Sequence, residues 1–421
     1  MKKIAALLLS LAFVIALCAC GAPSTDAPDA APEGDAAVVD DAGNEASSDV
    51  KIGVICIHDE NTGYDEAHIA GALTAAQNCG LSADNIVFKY NIPEDETCYD
   101  TCVDLAEAGC SLIITDSYGH SSYAAQAAEE YPDITFVSMT GDNAAASGLP
   151  NLKNAFCNTY ESRYVSGVVA GMKLAELVAN GEVADKNMAP DGTIKIGYVG
   201  AFPYAEVVSG YTAFFLGVRS IVDNVSMTVT YTNSWFDPTA EAEAANSLMA
   251  DGCIIISQHA DSTGAPSACQ AALEAGTTVY CVGYNVDMLS VAPQAALTSA
   301  QNDWSVYYTY AFNCLLNGEE IATDWARGYA EGANMISPLG ESCAEGTAEK
   351  VAEVEAGIID GSLHVFDCST WTVGGEHLDS YDEVGFYEGV ECIWDGYFHE
   401  SETRSAPYFD IRIDGITELA N

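Results

Sequence analysis

The 421-residue chain is expected to form an α/β protein with two doubly wound, Rossmann-like lobes, and three features support this. Short apolar runs alternate with alanine-rich stretches of helical periodicity from residue 51 to residue 299. The runs are apolar throughout, as in Cys-Ile-Ile-Ile-Ser at 253–257, which is typical of strands buried on both faces of a parallel sheet. A segment rich in Gly, Pro and Asn at 180–193 divides the runs into two sets, which predicts two lobes.

Each set contains five expected strands with helices between them. The first set covers 51–57, 85–91, 110–116, 134–140 and 155–160, and the second covers 194–200, 227–232, 253–257, 278–284 and 295–299. The stretches 67–79 and 240–250 have the spacing of amphipathic helices. Beyond Gly328, glycines with interleaved aromatics predict short strands that complete the second lobe, with a final strand at 409–413.

The first fifty residues are expected to lie outside the folded body. Lys2 and Lys3 precede an apolar run at 4–17, which is too short to span a membrane and is typical of a signal peptide over residues 1–20. The run ends in Leu-Cys-Ala-Cys-Gly, which resembles a bacterial lipobox with Cys20 as the lipidated residue; an ordinary secretory signal cut near Ala19 is the alternative. Residues 21–50 are acidic and poor in bulky apolar side chains, which predicts a disordered tether.

Charge excludes several functions. The chain has 62 acidic and 14 basic residues, a formal charge of −48, so it cannot build the basic surface that nucleic-acid binding requires. An anionic membrane surface would repel it as well. Eight acidic residues lie in the tether and two lysines in the signal peptide, which leaves 54 acidic and 12 basic residues and a charge of −42 in the body. Contact with the membrane is therefore expected only through the lipid anchor.

Cysteine spacing predicts neither a disulfide framework nor a metal site. Thirteen of the 15 cysteines follow the signal peptide, mostly in apolar runs or beside glycine, and an odd number cannot all pair. No CxxC motif or Cys/His cluster with zinc spacing is present, and Cys98 and Cys102 are a helical i,i+4 pair. We expect buried thiols that behave as small hydrophobic groups.

Aromatic, amide and carboxylate side chains follow the predicted strands. In doubly wound sheets, ligands bind beyond the carboxyl ends of the strands. The residues at these ends share an absence of Lys and Arg: His58, Asp59, Tyr64, Ser117, Tyr118, His120, Thr140, Asp142, Asn143, Phe202, Tyr204, Trp235, Phe236, Asp237, Gln258, His259, Asp261, Asn285 and Asp287. Such a cleft suits a planar, uncharged ligand with N–H and O–H groups and suits a phosphorylated one badly.

Several of these residues also have a purely structural interpretation. Asp237, followed by Pro238, has the pattern of a helix N-cap, so we assign the cap to Asp237 and ligand contact to Trp235. His58 and His259 are interpreted as core or orienting histidines rather than catalytic bases. Asp261 and Asp287 could cap helices, although carboxylates at adjacent strand ends favour a binding role.

Enzyme motifs are missing from the sequence. It contains no GxGxxG, no Gly-Lys-Ser/Thr phosphate loop, no HExxH and no GxSxG. The carboxylates at the strand ends could serve acid–base chemistry of the kind that glycosidases and nucleosidases use, but their spacing does not demand it. No catalytic residue and no cofactor is therefore predicted.

A family resemblance is carried by five runs in order. They are Tyr-Glu-Ser-Arg-Tyr at 160–164, Gly-Tyr-Val-Gly-Ala-Phe-Pro at 197–203, Thr-Asn-Ser-Trp-Phe-Asp-Pro at 232–238, Gln-His-Ala-Asp-Ser at 258–262 and Val-Gly-Tyr-Asn-Val-Asp-Met at 282–288. With Trp304 and Tyr308, they resemble the basic membrane protein family, the purine-nucleoside-receptor type of ABC-transporter substrate-binding lipoproteins. The resemblance extends over about residues 51–326 and is looser beyond Gly328.

The resemblance implies a type I periplasmic-binding-protein fold, with two lobes joined by hinge crossovers that close over the ligand. Lobe I would comprise 51–158 plus 300–326, and lobe II 159–299 plus 327–421. The implied function is a monomeric, lipid-anchored receptor on the extracytoplasmic face of the cell membrane, which passes a purine nucleoside or base to an ABC permease. Alternatives are a receptor for another aromatic heterocycle such as a flavin, a receptor for a peptide-like signal, a sensor, and, less favoured, a nucleoside hydrolase.

The resemblance also implies roles for individual residues. Tyr64 and Trp235 would stack on the ligand ring, and Tyr64 replaces the tryptophan usual in this subgroup. Polar edges would be fixed by Ser117, Asp261, Asn285 and Asp287, with Tyr118 and Phe202 as further lining residues. Asn285 stands where aspartate is usual. Asn302 stands where relatives carry Lys or Trp, and it is interpreted as retuning specificity.

Overall fold

The computed structural model describes residues 50–382 and 389–419. Its strands, in chain order, are β1 Ile52–Ile55, β2 Ile86–Lys89, β3 Leu112–Thr115, β4 Thr135–Met139, β5 Leu152–Cys157, β6 Ile194–Gly200, β7 Val225–Tyr231, β8 Ile255–Gln258, β9 Tyr280–Tyr284, β10 Ala296–Asn302, β11 Asp324–Arg327, β12 Asn334–Ile336, β13 Ile393–Trp394, β14 Tyr397–Phe398 and β15 Ile416–Glu418. Its helices are α1 Gly63–Asn78, α2 Glu96–Glu107, α3 Ser121–Glu130, α4 Ala144–Ser147, α5 Thr159–Asn180, α6 Ala205–Arg219, α7 Pro238–Asp251, α8 Gly264–Glu274, α9 Trp304–Asn317 and α10 Thr347–Asp360.

Two sheets form the centres of two lobes. The first has the order β11-β5-β4-β3-β1-β2 and is parallel throughout. The second has the order β12-β10-β9-β8-β6-β7-β15 and is parallel except for β12, which runs antiparallel to β10. Strands such as β1 and β3 are buried along their whole length, because helices cover both faces of the sheet. The α/β architecture with two doubly wound sheets is confirmed.

The chain passes between the sheets three times. It leaves the first sheet after β5, returns after β10 through α9, and leaves again after β11 to form β12. Residues 300–302, assigned to lobe I from the sequence, belong to β10 and pair with β12 in the second sheet.

Two expected strands differ from the structure. The strand expected at 155–160 ends at Cys157, because α5 begins at Thr159 and Tyr160 is therefore helical. The run 409–413 forms no strand; its apolar side chains are buried in the second core, where Phe409 stacks on Phe366 with ring centroids 4.3 Å apart. The last strand is instead β15, which extends the second sheet beside β7.

The residues after α10, which we call the C-terminal segment (361–382 and 389–419), pack mainly on the second lobe. The segment also touches the first lobe, where the backbone N–H and the hydroxyl of Ser405 both donate to Asp324 Oδ1 at 3.0 Å. It therefore links the two lobes independently of the three crossovers.

The thirteen cysteines from Cys56 to Cys392 are free thiols, and all but Cys79 and Cys343 are buried. The signal peptide, Cys20 and the tether up to residue 49 lie outside the described residues. Within 50–382 and 389–419, none of the helices combines the length and apolar character that crossing a bilayer requires.

Candidate functional site

A cleft lies at the carboxyl ends of the two sheets, and both lobes contribute side chains to it. It encloses about 370 Å³ of space free of protein atoms, part of which is open to solvent. Aromatic and carboxylate groups dominate the lining: Ile57, Tyr64, Ser117, Tyr118, Thr140, Glu206, Trp235, His259, Asp261 and Tyr284. Five of the predicted site residues, Tyr64, Ser117, Tyr118, Trp235 and Asp261, are thus brought together.

Tyr64 is the main ring of the first-lobe wall. It lies in the first turn of α1, and its hydroxyl donates to the backbone oxygen of Asp116 at 2.5 Å. Behind it, His68 contacts the Tyr64 ring edge-on at 4.6 Å and stacks on Trp304 at 4.3 Å. Burial lowers the pKa of His68 to about 3, so this imidazole is neutral. The packed column fixes the position of Tyr64 before any ligand arrives.

The rest of the first-lobe wall follows β3 and β4. Ser117 Oγ donates to Glu94 Oε1 at 2.6 Å, and Tyr118 Oη donates to Asp142 Oδ2 at 3.2 Å. Thr140 has φ of +63°, which is an uncommon conformation for a β-branched residue, and its buried hydroxyl has no hydrogen-bond partner. Strained backbone of this kind concentrates at ligand sites.

Trp235 is the corresponding ring of the second-lobe wall. Phe202 packs against it edge-on at 5.1 Å and stacks on Tyr204 at 5.2 Å, so Phe202 supports Trp235 and is not part of the cavity lining. The predicted helix cap is confirmed, because Asp237 Oδ1 accepts from the N–H groups of Thr239 and Ala240 at the start of α7. The cap holds the loop that presents Trp235.

Asp261 is the buried carboxylate of the site. Its backbone N–H donates to the oxygen of Trp235, and Asn285 Nδ2 donates to its Oδ1 at 2.6 Å. Burial, together with repulsion from Glu241, raises the pKa of Asp261 well above its usual range. Asn285 has φ of +63°, which asparagine tolerates better than most residues, and its own side-chain oxygen is buried without a partner.

Two further pairs complete the second-lobe wall. His259 Nε2 lies 3.1 Å from Glu206 Oε1, and burial, assisted by the charge of Arg163, lowers the pKa of His259 to about 4. The neutral ring therefore donates from Nε2 to Glu206. The Arg163 guanidinium lies 3.6 Å from the centroid of the Tyr284 ring, and its Nη1 donates to the oxygen of Gln258. These contacts agree with the interpretation of His259 as an orienting histidine.

Asp287 and Asn302 lie outside the cavity lining. Asp287 is exposed and caps the turn Met288–Ser290 by accepting from the N–H of Leu289. Asn302 lies at the end of β10, where its Oδ1 accepts from Thr159 Oγ1 at 3.1 Å and from Asn334 Nδ2 at 2.6 Å. Asn302, Thr159 and Asn334 all adjoin crossovers between the sheets. A direct ligand contact of Asp287 or Asn302 stays a prediction.

A second compartment adjoins the first and shares Tyr118, Thr140 and Glu206 with it. Arg404 and Pro407 of the C-terminal segment form its outer wall, opposite Asp142. Burial raises the pKa of Asp142, and the charge of Arg404 opposes that rise. The prediction that no arginine lies at the cleft was wrong for the second compartment, because Arg404 lines it. Arg404 belongs to the C-terminal segment, for which the sequence predicted no function.

Glu206 and Tyr284 were missed as lining residues, and Arg163 was missed as the residue that packs against the Tyr284 ring. Arg163 and Tyr284 lie in runs that carry the family resemblance, and Glu206 follows the run at 197–203. Glu206 is in the first turn of α6, and Arg163 is in the interior of α5. Neither follows a strand directly. The one signal that could have identified Glu206 is that it is an acidic residue in the first turn of the helix that follows a strand.

Two α/β lobes with three crossovers and a cleft between them define a bilobal solute-binding protein. A solute-binding protein of an ABC transporter from Aeropyrum pernix K1 has the same fold, with a TM-score of 0.62 at 16% identity over 75% of this chain and 93% of that one. The family model for "ABC transporter substrate-binding protein PnrA-like" matches residues 57–360. The chain belongs to this family, which confirms the resemblance seen in the sequence.

Two relatives share 31% identity with the chain. One is a purine-binding protein of Brucella abortus (strain 2308), aligned over 71% of this chain and 79% of its own length. The other is a Haloferax volcanii protein provisionally named as the glucose-binding protein of an ABC transporter, aligned over 68% and 66%. The chain is thus a substrate-binding protein of an ABC transporter, a class that binds a small molecule and acts with a membrane permease.

Proposed function

We propose that the protein captures a purine nucleoside or nucleobase and delivers it to an ABC importer. The observation that carries this proposal is one cavity that combines an aromatic ring from each lobe, Tyr64 and Trp235, with the buried Asp261–Asn285 pair. A planar heterocycle fits between rings, and a carboxylate beside them recognises its N–H groups.

The polar end of the cavity is set up for directional recognition. Asn285 engages Oδ1 of Asp261, so Oδ2 is the oxygen that can meet a ligand N–H or O–H. The unpartnered hydroxyl of Thr140 offers a second polar contact on the opposite lobe. Because a buried polar atom without a partner is costly, a ligand that satisfies it gains affinity.

Charge argues for a nucleoside over a nucleotide. The part of the chain that the structure describes contributes Glu206 and Asp261 to the first compartment and no Lys or Arg. A phosphate group would meet the Glu206 carboxylate and the acidic side chain of Asp261 there, and the lining contains no cation to compensate. Arg404 lies in the second compartment, where Asp142 and Glu206 already face it. Polyhydroxylated sugar is a better match than phosphate for such a mixture of donors and acceptors.

We further propose attachment to the extracytoplasmic face of the membrane through lipidated Cys20, with a monomeric folded body. Sequence supports this through the lipobox-like end of the signal peptide and the acidic tether. Mass spectrometry of the N-terminal peptide from membrane fractions tests the anchor, with acylated Cys20 as the expected result. Cys20→Ser should release the protein; membrane retention of that variant would overturn the anchor.

Isothermal titration calorimetry against adenosine, guanosine, inosine and the free bases tests the ligand class. We expect at least one of them to bind with a dissociation constant of about 1 μM or below, corresponding to roughly −8 kcal/mol. Adenosine monophosphate, riboflavin and glucose serve as matched comparison ligands. If only riboflavin or glucose binds, the nucleoside assignment is wrong, and the respective alternative takes its place.

The remaining alternatives are separated by two simpler observations. Release of free base on incubation with nucleosides, followed by chromatography, would identify a hydrolase; we expect the nucleosides to remain intact. Uptake of labelled nucleoside that depends on this protein would identify import, whereas unchanged uptake alongside intact binding would favour a sensor.

A further inference from the structure

A cluster of buried polar side chains lies beneath the first-lobe wall of the cleft. Cys56 directly follows β1, Asp116 directly follows β3, and Asp65 is in the first turn of α1. The thiol and one carboxylate oxygen from each aspartate all lie within 4.8 Å of one another. Each of the three residues is fully buried. Such a set needs a neutralising partner, because burying two carboxylates without one is costly.

His120 lies next to this cluster, although it is not one of the three residues whose donor atoms all lie within 4.8 Å of one another. Its Nε2 lies 2.8 Å from the backbone oxygen of Ile92, and since a carbonyl oxygen only accepts, Nε2 carries the hydrogen. Nδ1 therefore presents a lone pair, 3.9 Å from Asp116 Oδ1 and without a hydrogen-bond partner. Asp116 Oδ2 also lacks a partner. The 3.9 Å separation between His120 Nδ1 and Asp116 Oδ1 is too long for a hydrogen bond, and Asp116 Oδ1 accepts instead from the N–H of Ile57 at 3.0 Å.

Fixed positive charge is absent from this cluster. In the part of the chain that the structure describes, the ion-pair partners of the two aspartates are the imidazoles of His58 and His120. His58 Nδ1 lies 3.5 Å from Asp65 Oδ2 and is partly exposed. No lysine or arginine among these described residues pairs with either carboxylate.

We propose that Cys56, Asp65 and Asp116 form a binding site for a divalent metal ion of the zinc class, with the neighbouring His120 as the candidate fourth ligand. Thiolate, carboxylate and imidazole are the donors that zinc takes in proteins, usually four in number. The surroundings also match a metal site, because His120 is oriented through Ile92 and Asp65 accepts from Thr62 Oγ1 and from the N–H of His58. The proton of the Cys56 thiol would leave to solvent as the ion binds.

The metal would brace the ligand cleft without touching the ligand. The backbone oxygen of Asp116 accepts the hydrogen bond from the Tyr64 hydroxyl, and Ser117 is the next residue in the chain. An ion that holds Asp116 therefore fixes the position of the stacking ring and of one polar contact. This role is independent of which ligand the cleft binds.

Cobalt substitution tests the site directly. The purified protein is unfolded in denaturant with a chelator present, the chelator is removed, and the protein is refolded with Co²⁺ or Zn²⁺, because the cluster is closed to solvent in the folded state. We expect one tightly held ion per chain by elemental analysis and, with Co²⁺, a thiolate-to-metal charge-transfer absorption. Circular dichroism checks that each protein has refolded. The metal content of the unmutated protein gives a result even if a variant fails to fold.

Matched variants assign the ligands. Cys56→Ser should abolish the charge-transfer absorption, and Asp116→Asn should weaken metal affinity by about 100-fold. Cys110→Ser is the control, since Cys110 is a buried thiol of the same lobe that does not belong to the cluster. Absence of bound ion in folded, unmutated protein would overturn the proposal, as would equal metal content in Cys56→Ser and Cys110→Ser. If the folded, unmutated protein binds no ion, infrared spectroscopy identifies what neutralises the carboxylates instead. A carbonyl band of a protonated acid that disappears in Asp116→Asn would show that a buried proton does so.

Discussion

The two walls of the cleft are built differently. The first-lobe wall presents Tyr64, whose ring is packed on His68 and whose hydroxyl is bound to backbone. The second-lobe wall presents ionisable groups held in pairs, Asp261 with Asn285 and His259 with Glu206. Packed rings provide a surface that accepts any planar group, whereas paired polar groups accept only one arrangement of donors. Both lobes thus supply a stacking ring, but the two carboxylates of the first compartment, Glu206 and Asp261, come from the second lobe alone.

Removal of Asp261 should have the largest effect on this division. Asp261→Ala deletes the carboxylate and leaves Asn285 Nδ2 buried without its partner, so we expect ligand affinity to fall about 100- to 1,000-fold. Calorimetry with the best-binding nucleoside measures the change. Asp287→Ala is the matched control: because that carboxylate is exposed and caps a turn, its removal should change affinity by less than about threefold. The reverse ranking would transfer the recognition role to Asp287.

The pH dependence of stability should reveal the buried carboxylates of the second lobe. Burial raises the pKa of Glu241 to about 7, opposed by hydrogen bonds from Ser262. The folded state therefore holds a proton that the unfolded state has already lost, and stability falls as pH rises from about 4.5 through 7. We expect Glu241→Gln to flatten this decline by about 2–3 kcal/mol in denaturant melts between pH 5 and pH 8.

Glu243, exposed on the same helix, provides the control for this measurement. Glu243→Gln should leave the slope of stability against pH as it is in the unmutated protein. Glu400 is a second contributor, because burial raises its pKa to about 7 as well. A decline that remains equally steep in Glu241→Gln would assign the dependence to other buried carboxylates.

Loss of either stacking ring should weaken binding less than loss of Asp261. Base–aromatic stacking contributes roughly 1–3 kcal/mol, so Tyr64→Ala and Trp235→Ala should each reduce affinity about 10- to 100-fold. Tyr64→Phe keeps the ring and its packing on His68 but removes the hydrogen bond to Asp116, and a change of less than about tenfold is expected. If Tyr64→Phe were as damaging as Tyr64→Ala, the hydroxyl and not the ring would be the important group.

The smallest effect is expected at Arg404. If the second compartment receives the sugar, Arg404→Met should weaken nucleoside binding by about threefold to tenfold and leave binding of the free base unchanged. Comparing nucleoside and base in the same calorimetric series isolates this contribution. Equal losses for both ligands would instead indicate a general effect of the C-terminal segment on closure of the lobes.

The sequence predicted those parts of the molecule that are determined by the pattern of neighbouring residues. Buried parallel strands appear as continuous apolar runs, and Asp237 before Pro238 appears as a helix cap; both features are decided by neighbouring residues. Arg163 and Arg404 could not be found in this way. Arg163 lies in a helix interior and packs against the Tyr284 ring, outside the cavity lining, and Arg404 belongs to a segment that returns across the lobes. Such positions depend on tertiary packing, which the residues that follow each strand do not reveal.

The position of Asn302 also depends on tertiary packing. The family resemblance implied that it tunes ligand specificity, but it is the last residue of β10, at a crossover, and lies outside the cavity lining. The cluster beneath Tyr64 was also invisible, since Cys56 and Asp116 are separated by a whole βαβ unit and show no metal-ligand spacing. A site made of residues that are far apart in the sequence cannot be recognised from their spacing.

Asn302 has a consequence for how affinity is controlled. Its side-chain oxygen joins Thr159 and Asn334, so one buried amide connects the strand entering the hinge with residues of the two other crossings. Asn302 and Asn334 are paired in the second sheet and move with it, whereas Thr159 begins the helix that follows β5 of the first sheet. The hydrogen bond from Thr159 to Asn302 therefore lies where the chain crosses between the lobes, and we expect its strength to contribute to the equilibrium between open and closed states. A substitution of Asn302 that changes the affinity for all ligands by the same factor would assign it to the hinge, and one that changes their ranking would assign it to ligand recognition.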